Sequence, residues 1–153
     1  MSIDPDRTDI FMKPLYTAVA VASGDGRDGT ARTRDGRLDV SLASPVELGG
    51  TGDGTNPEQL FAAGYAACFH SALRLVARQE RADLTDSAVA AKVHLGKLDG
   101  EGFGLAAELE VALPALDRKT AEALVARAHE ICPYSNATRG NISVDIKVLE
   151  YAA

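Results

Sequence analysis

Stretches rich in apolar and β-branched residues, several of them alternating strictly with polar residues, predict six β-strands in this chain. Glycine-rich turns separate several of these stretches, and Asp35-Gly36, between the second and the third, is typical of a type I′ hairpin turn. We expect residues 1–13, which precede the first strand, to form an N-terminal arm. The predicted strands lie at residues 15–22, 30–34, 37–43, 87–97, 103–113 and 142–151.

A long helix is predicted to follow the third strand. Asn56 is a good N-cap before a proline, although Thr55 and Glu58 could form a capping box instead, and the helix should run to about Arg81. Nearly every position from 60 to 72 is apolar or small. Because a helix that is apolar on all sides is surrounded by protein, we expect a partner subunit to cover part of this one.

A second helix is predicted to begin near Asp117 and to end near Ile131, because Pro133 cannot continue it. Apolar residues spaced for one helical face are expected to pack into the core. They are Ala121, Leu124, Val125, Ala128 and Cys132. The resulting order, βββαββαβ with hairpin connections, predicts an α+β fold of antiparallel strands and segregated helices, in a single domain over residues 14–153.

The charge balance and the hydropathy limit the expected partners. The chain carries 16 Lys and Arg against 22 Asp and Glu, a net charge of −6, so it has no bulk attraction for nucleic acid. Its most apolar stretch, residues 60–73, contains His70 and precedes Arg74, and we expect it to be too short to span a membrane. The polar N-terminus is unlike a signal peptide, so a cytoplasmic protein is expected.

The sequence contains two cysteines, Cys68 and Cys132, which are too few for a secreted disulfide scaffold. From the residues alone, three interpretations stay open. Both cysteines can be buried core residues, they can bind zinc together with His70 and His129, or they can form a redox pair. Cys68 and His70 point to opposite sides of a helix, which argues against zinc. A reactive thiolate needs a nearby cation, and no Lys or Arg lies within one helical turn of Cys68.

Three segments together resemble the organic hydroperoxide resistance proteins of the Ohr/OsmC family. They are LYTAVA at 15–20 with GRDG at 26–29, GTNPEQLFAAGYAACF at 54–69, and CPYSNATRGNI at 132–142. The two cysteine segments are long and specific, whereas short glycine-rich turns like the first are common. The resemblance covers about residues 13–151.

The resemblance implies a bacterial thiol peroxidase that acts on organic hydroperoxides without a bound cofactor or metal. It implies that Cys68 is the peroxidatic cysteine and Cys132 the resolving cysteine, that Arg27 activates the thiol and that Glu58 orients this arginine. It further implies an intertwined homodimer, with sheets wrapped around central helices and sites at the subunit interface. The implied reductant is an external dithiol, notably a lipoyl group on a protein.

Spacing along the helix adds one constraint to these roles. Glu58 and Cys68 are ten residues apart, which is about 15 Å along a helix axis. If Arg27 bridges them, at least one of the three therefore comes from the partner subunit. Asp25 and Asp28 flank Arg27 and could compete for its guanidinium. Arg32, Arg34 and Arg37 are alternative arginines nearby in sequence.

Two rival functions remain beside this one. One is an OsmC-type peroxidase of broader peroxide range. The other is a non-catalytic protein of the same fold that binds a small ligand in an apolar cleft. In the peroxidase, an apolar cleft would favour alkyl or lipid hydroperoxides over hydrogen peroxide, and its candidate lining residues are Leu60, Phe61, Phe69 and Ile131.

Overall fold

The computed structural model describes residues 12–150, which fall into two compact units divided after Gly54. Most of the predicted N-terminal arm and the end of the last predicted strand, at Tyr151, lie outside the described residues. The α+β class predicted from the sequence is confirmed, with one three-stranded sheet in each unit and the helices in the second.

The N-terminal unit is an antiparallel sheet of three short strands, β1 (Ala20–Ser23), β2 (Thr30–Thr33) and β3 (Asp39–Ser41), in that spatial order. The first strand begins at Ala20 and not at Leu15 as predicted. Ala20 pairs with Thr33, the last residue of β2, and before it the Val19 carbonyl accepts one further hydrogen bond, from the Arg34 N–H at 2.9 Å. Pairing, which the local pattern does not contain, therefore sets the start of this strand.

The turn between β2 and β3 differs from the predicted type I′. Only Gly36 of the Asp35-Gly36 pair has a positive φ, of 72°, whereas type I′ requires positive φ at both positions. The carboxylate of Asp35 accepts hydrogen bonds from the Thr33 hydroxyl at 2.7 Å and the Arg37 N–H at 3.0 Å. This local capping closes a longer loop, which ends where the Thr33 N–H donates to the Leu38 carbonyl at 2.8 Å.

The C-terminal unit contains a helix, a hairpin, two consecutive helices and a last strand. Its elements are α1 (Pro57–Glu80), β4 (Ala88–Lys97), β5 (Phe103–Ala112), α2 (Arg118–Ile131), α3 (Pro133–Thr138) and β6 (Val144–Val148). β5 is the central strand, antiparallel to β4 and parallel to β6. The expectation of antiparallel strands is wrong for the second pair, because the helices between β5 and β6 form a crossover connection.

The helix boundaries follow the predicted caps closely. The side chain of Asn56 accepts a hydrogen bond from the Gln59 N–H at 2.9 Å, so Asn56, and not the alternative capping box, begins α1. Asp117 caps α2 in the same way through the Thr120 N–H, at 3.0 Å. The short helix α3, which starts at Pro133, was not predicted.

The core of this unit lies between α1, α2 and the sheet. The face of α2 predicted to be buried is buried along its whole length, from Ala121 to Cys132. On α1, one face is buried, whereas the small residues Ala63, Ala67 and Ser71 are exposed in the single chain. Coverage of this exposed side by a partner subunit stays a prediction.

By length and composition alone, the 24 residues of α1 would suffice to cross a membrane. The helix passes on length because it extends well beyond the apolar stretch of residues 60–73. The core helix of a water-soluble protein meets the same criteria. Since α1 buries residues such as Phe69, Leu73 and Val76 in its own unit, the finding is weak evidence for a membrane span.

Candidate functional site

The two cysteines lie side by side in the C-terminal unit. The Sγ of Cys132 is 3.6 Å from the Sγ of Cys68, and both are free thiols. Cys132 is fully buried and Cys68 is partly exposed. An S–S bond is about 2.05 Å long, so only a small shift separates this dithiol from a disulfide. The contact meets the distance that a redox pair requires.

The position of Cys132 results from the proline that follows it. Cys132 ends α2 and precedes α3, with an extended backbone conformation between the two helices. Its N–H donates to the Ala128 carbonyl at 2.9 Å, and its carbonyl accepts from the Asn136 N–H at 2.9 Å. Both backbone groups are thus satisfied at the helix junction, and the side chain is directed at α1.

The surroundings of Cys68 act on its thiol in opposite directions. Burial is the largest influence and raises the pKa of the Cys68 thiol, because it disfavours the charged thiolate. The backbone N–H of Tyr134 donates to the sulfur and lowers the pKa, whereas the neighbouring Cys132 raises it. The net pKa of Cys68 is raised, so thiolate chemistry at neutral pH calls for a further stabilising group.

Aromatic rings pack beside the cysteine pair. Tyr134 lies against Phe61 and Tyr65, with ring centroids 5.8 and 5.6 Å apart. The ring of Tyr134 also passes directly over Gly64, where a Cβ would lie 2.5 Å from the Tyr134 hydroxyl oxygen. Glycine at this position therefore allows the residue after Pro133 to approach α1.

A mostly apolar groove of about 740 Å³ opens next to these rings and runs toward the β4–β5 hairpin. Its walls include Phe61, Tyr134, Leu105 and Ile142. Phe61 was predicted to line an apolar cleft. The other predicted residues, Leu60, Phe69 and Ile131, are not among its lining residues. Phe69 is fully buried in the core.

A buried group of hydroxyls between α1 and α3 was missed by sequence reasoning. The Tyr65 hydroxyl is 2.9 Å from the Ser135 Oγ and 3.2 Å from the Thr138 Oγ1. All three side chains are nearly or fully buried. The signal was the spacing of Ser135 and Thr138, which is three residues and becomes one helical face only once α3 is recognised.

The two remaining predicted site residues lie in different units. Glu58 is half-buried in the first turn of α1, ten residues before Cys68. Arg27 is half-buried in a short 3₁₀ turn of the N-terminal unit, Gly26–Asp28. The activating role of Arg27 and the orienting role of Glu58 therefore stay predictions.

Neighbours of Arg27 in the N-terminal unit are engaged in other contacts. The carboxylate of Asp28, which was expected to compete for Arg27, accepts a hydrogen bond from the Ser44 N–H at 3.0 Å. Arg32, one of the alternative arginines, is exposed and lies 3.6 Å from the Asp39 carboxylate.

Zinc finds no support at the cysteine pair. Within residues 12–150, no three potential ligands among His, Cys, Asp and Glu come together as a metal site would require. The Nε2 of His70 lies 2.9 Å from the Ser87 hydroxyl, and the Nδ1 of His129 is buried without a hydrogen-bond partner. Burial and the charge of Arg139 lower the pKa of His129.

Comparison with known proteins places this architecture in a family. The family model described as OsmC-like protein matches residues 50–147. The organic hydroperoxide resistance protein of Xanthomonas axonopodis pv. citri is 52% identical over 136 residues, which cover 88% of this chain and 94% of that protein. This chain belongs to the OsmC/Ohr family.

Solved structures of Ohr proteins agree with this membership. The organic hydroperoxide resistance protein of Legionella pneumophila superposes with a TM-score of 0.86 at 51% identity, over 90% of this chain and all of that one. Organic hydroperoxide resistance protein OhrB of Bacillus subtilis gives a TM-score of 0.80 at 45% identity, over 89% of this chain and all of that one. The resemblance noted in the sequence is thereby confirmed.

Proposed function

We propose that this chain is a cysteine-based thiol peroxidase that reduces organic hydroperoxides to alcohols in the bacterial cytoplasm. Its Ohr relatives support a role in organic hydroperoxide resistance. The observation that carries the chemical proposal is the 3.6 Å contact between the Cys68 and Cys132 sulfurs. The lining of the mostly apolar groove includes Tyr134, whose N–H contacts the Cys68 sulfur, but neither cysteine; a groove of this character would favour the alkyl chain of a substrate over hydrogen peroxide.

The proposed reaction starts at Cys68, the more exposed of the two thiols. Its thiolate attacks the terminal OH oxygen of the hydroperoxide, the O–O bond breaks, and the alkoxide leaves and takes up the proton that the Cys68 thiol released, giving the alcohol. Cys68 is thereby oxidised to a sulfenic acid. Arg27 stabilises the thiolate and the charge on the leaving oxygen, and Glu58 orients Arg27. The Tyr134 N–H adds a fixed dipole on the same sulfur.

Cys132 completes the oxidative half of the cycle. Its sulfur attacks the sulfenic sulfur of Cys68, the S–O bond breaks, and the oxygen leaves as water while the S–S bond forms. An external dithiol of the lipoyl type then reduces the disulfide by thiol exchange and is itself oxidised to a disulfide. No bound cofactor or metal takes part in these steps.

The active form in this proposal is a homodimer. The exposed side of α1 carries the small residues Ala63, Ala67 and Ser71, which allow another backbone to approach closely. Glu58 and Cys68 lie about 15 Å apart along α1, so an arginine that serves both draws on more than one subunit.

A single-turnover experiment tests the proposal. Reduced protein is mixed with one equivalent of cumene hydroperoxide in a stopped-flow instrument and analysed by mass spectrometry. Wild type should lose both thiols rapidly, Cys68→Ser should not react, and Cys132→Ser should stop at a sulfenic or over-oxidised Cys68. Dihydrolipoamide, compared with glutathione, should restore the thiols of the oxidised wild type.

Two results would contradict the proposal. A wild-type rate no greater than that of a free thiol at the same pH would leave the chain a non-catalytic binding protein with this fold. An equal rate with hydrogen peroxide and cumene hydroperoxide would instead indicate an OsmC-type enzyme of broader range.

A further inference from the structure

Only one arrangement of protons satisfies all three hydrogen bonds among the buried hydroxyls of Tyr65, Ser135 and Thr138. The Thr138 hydroxyl donates its proton to the Ser135 carbonyl, at 3.2 Å. Having no second proton, it accepts from the Tyr65 hydroxyl, at 3.2 Å. The Tyr65 oxygen in turn accepts from the Ser135 hydroxyl, at 2.9 Å. Each of these donors has an acceptor, so the three side chains and the Ser135 carbonyl form a closed loop of hydrogen bonds, which we call the hydroxyl ring.

The hydroxyl ring joins the two elements that carry the cysteines. Tyr65 lies three residues before Cys68 on α1, and residues three apart share a helix face. Ser135 lies three residues after Cys132, on α3. The ring therefore spans from the helix that holds one sulfur to the helix that directly follows the other.

Helix α3 depends on such contacts for its position. It has six residues, and an isolated helix of this length is unstable in water. Two further contacts hold it, namely the ring of Tyr134 against Gly64 and the Arg139 guanidinium, which donates to the His129 carbonyl at 2.5 Å. The hydroxyl ring is the contact that is buried and directional at once.

We propose that the hydroxyl ring of Tyr65, Ser135 and Thr138 positions Cys132 for disulfide formation with Cys68. Its members are positioning residues that touch neither sulfur in the chemical step. The ring holds the start of α3 against α1 and thereby keeps the Cys132 sulfur within reach of Cys68. The role of the ring in turnover rests on the proposed peroxidase function. Its effect on the placement of the two sulfurs does not depend on that function.

Two measurements isolate the positioning. In the first, the protein is equilibrated with reduced and oxidised glutathione, and the effective concentration of Cys132 toward Cys68 is obtained from the fraction of protein disulfide. This exchange converts one glutathione disulfide into two thiols for each protein disulfide formed, and it needs no peroxidase activity. In the second, the peroxide concentration is found at which half of Cys68 becomes sulfinic acid instead of disulfide.

Removing one hydroxyl breaks the ring without removing a side chain. Tyr65→Phe and Thr138→Val should each lower the effective concentration by about fivefold, the factor that corresponds to one net hydrogen bond. They should also lower, by a similar factor, the peroxide concentration at which half of Cys68 becomes sulfinic acid. Thr138→Ser keeps the hydroxyl and should match the wild type in both measurements.

A matched control separates positioning from general loss of stability. Val76→Ala truncates a fully buried residue of α1 outside the ring and should destabilise the fold while leaving the effective concentration unchanged. The proposal is overturned if Tyr65→Phe and Thr138→Val leave the effective concentration unchanged, or if Val76→Ala lowers it equally. A wild type that ignores peroxide but shows the predicted glutathione pattern would refute the peroxidase proposal and retain the positioning.

Discussion

Cys68 lies in the middle of a 24-residue helix, whereas Cys132 lies where one helix ends and another begins. The backbone around Cys68 is held by continuous helical hydrogen bonds on both sides, and its side chain is partly exposed. The Cys132 side chain is fully buried, but its backbone is extended at the junction. The partly exposed Cys68 is suited to reaction with an external peroxide. Cys132, at the junction of two helices, is suited to a short movement of its sulfur toward that of Cys68.

The difference indicates where the closing motion occurs. Bringing two sulfurs from 3.6 Å to about 2.05 Å requires one of them to move. A residue inside a long helix moves only with the helix, whereas a residue between two helices can change its backbone angles locally. We expect the α2–α3 junction to supply the motion and α1 to act as the fixed side of the site.

The largest loss of stability should come from truncating a buried side chain of α2, the helix that ends at Cys132. Leu124 is fully buried on the inner face of α2, two turns before Cys132. Leu124→Ala should cost about 2–5 kcal/mol of unfolding free energy, because it removes buried methyl groups and leaves a cavity. Urea denaturation of the reduced protein measures the change.

The matched control is an exposed leucine away from α1. Leu48 is 54% exposed in the 3₁₀ turn Val46–Leu48, and Leu48→Ala should cost under about 1 kcal/mol. If the two leucine variants were equally stable, the face of α2 that ends at Cys132 would not belong to the core.

Substitution of Gly64 should disrupt the contact between Tyr134 and α1. Alanine is normally favoured over glycine inside a helix by about 1 kcal/mol. At Gly64 the added Cβ would meet the Tyr134 hydroxyl oxygen at 2.5 Å, so Gly64→Ala should give no gain in stability and should displace Tyr134. Displacement moves the Tyr134 N–H away from the Cys68 sulfur and raises the pKa of that thiol further.

Ala123 provides the control for this prediction, because it is an exposed alanine inside α2 and takes no part in the contact between Gly64 and Tyr134. Ala123→Gly should lose about 1 kcal/mol and leave the alkylation of Cys68 unchanged. Thermal unfolding and the pH dependence of iodoacetamide labelling report the two quantities. A stabilised Gly64→Ala variant with unaltered labelling would show that the contact is unimportant.

Arg27 is the residue proposed to supply the positive charge that stabilises the Cys68 thiolate. Burial and Cys132 raise the pKa of Cys68, so removing the proposed activating cation should leave a thiol that ionises only at alkaline pH. Arg27→Met should move the pH midpoint of Cys68 alkylation upward by at least about one unit, which is about 1.4 kcal/mol. Because the thiolate reacts, the rate at pH 7 should fall about tenfold or more.

Arg32→Met is the control, since Arg32 is exposed beside Asp39. Its alkylation midpoint should equal that of the wild type. A shift with Arg32→Met and none with Arg27→Met would transfer the activating role to the other arginine.

The sequence predicted the helices and strands themselves better than the pairing of strands with one another. Helix caps at Asn56 and Asp117 and the buried face of α2 were predicted correctly, because they depend on neighbours within about one helical turn. The parallel pairing of β6 was missed, since alternation gives the faces of a strand but not its direction. Pro133 was read as a helix stop, whereas it both ends α2 and begins α3.

In the site as well, features that depend on nearby residues were predictable from the sequence, whereas contacts between distant residues were not. That both cysteines lie on helices with buried faces was predictable from spacing, but their 3.6 Å contact depends on the packing of α1 against α2. The hydroxyl ring joins residues 70 and 73 positions apart in the chain. No local pattern reports such a contact, so it became visible only in the folded unit.

The smallest effect concerns the caps of the two cysteine-bearing helices, which differ in their response to acid. Asn56→Ala should cost about 1 kcal/mol at any pH, because the amide that caps α1 does not titrate. Hydrogen bonds from the Thr120 hydroxyl and N–H lower the pKa of Asp117, the cap of α2. A lowered pKa means that this stabilisation is present above the ordinary carboxyl range and is lost as the pH falls through the lowered value.

Asp117→Asn keeps a capping oxygen but removes the titration. Between pH 5 and the acid limit of folding, the wild type should therefore lose more stability than Asp117→Asn, whereas Asn56→Ala and the wild type should run parallel. Urea midpoints across this pH range, with the cysteines reduced, provide the measurement. Identical acid curves for the wild type and Asp117→Asn would mean that the Thr120 contacts do not hold in solution, and that the helix leading to Cys132 is capped no differently from the helix carrying Cys68.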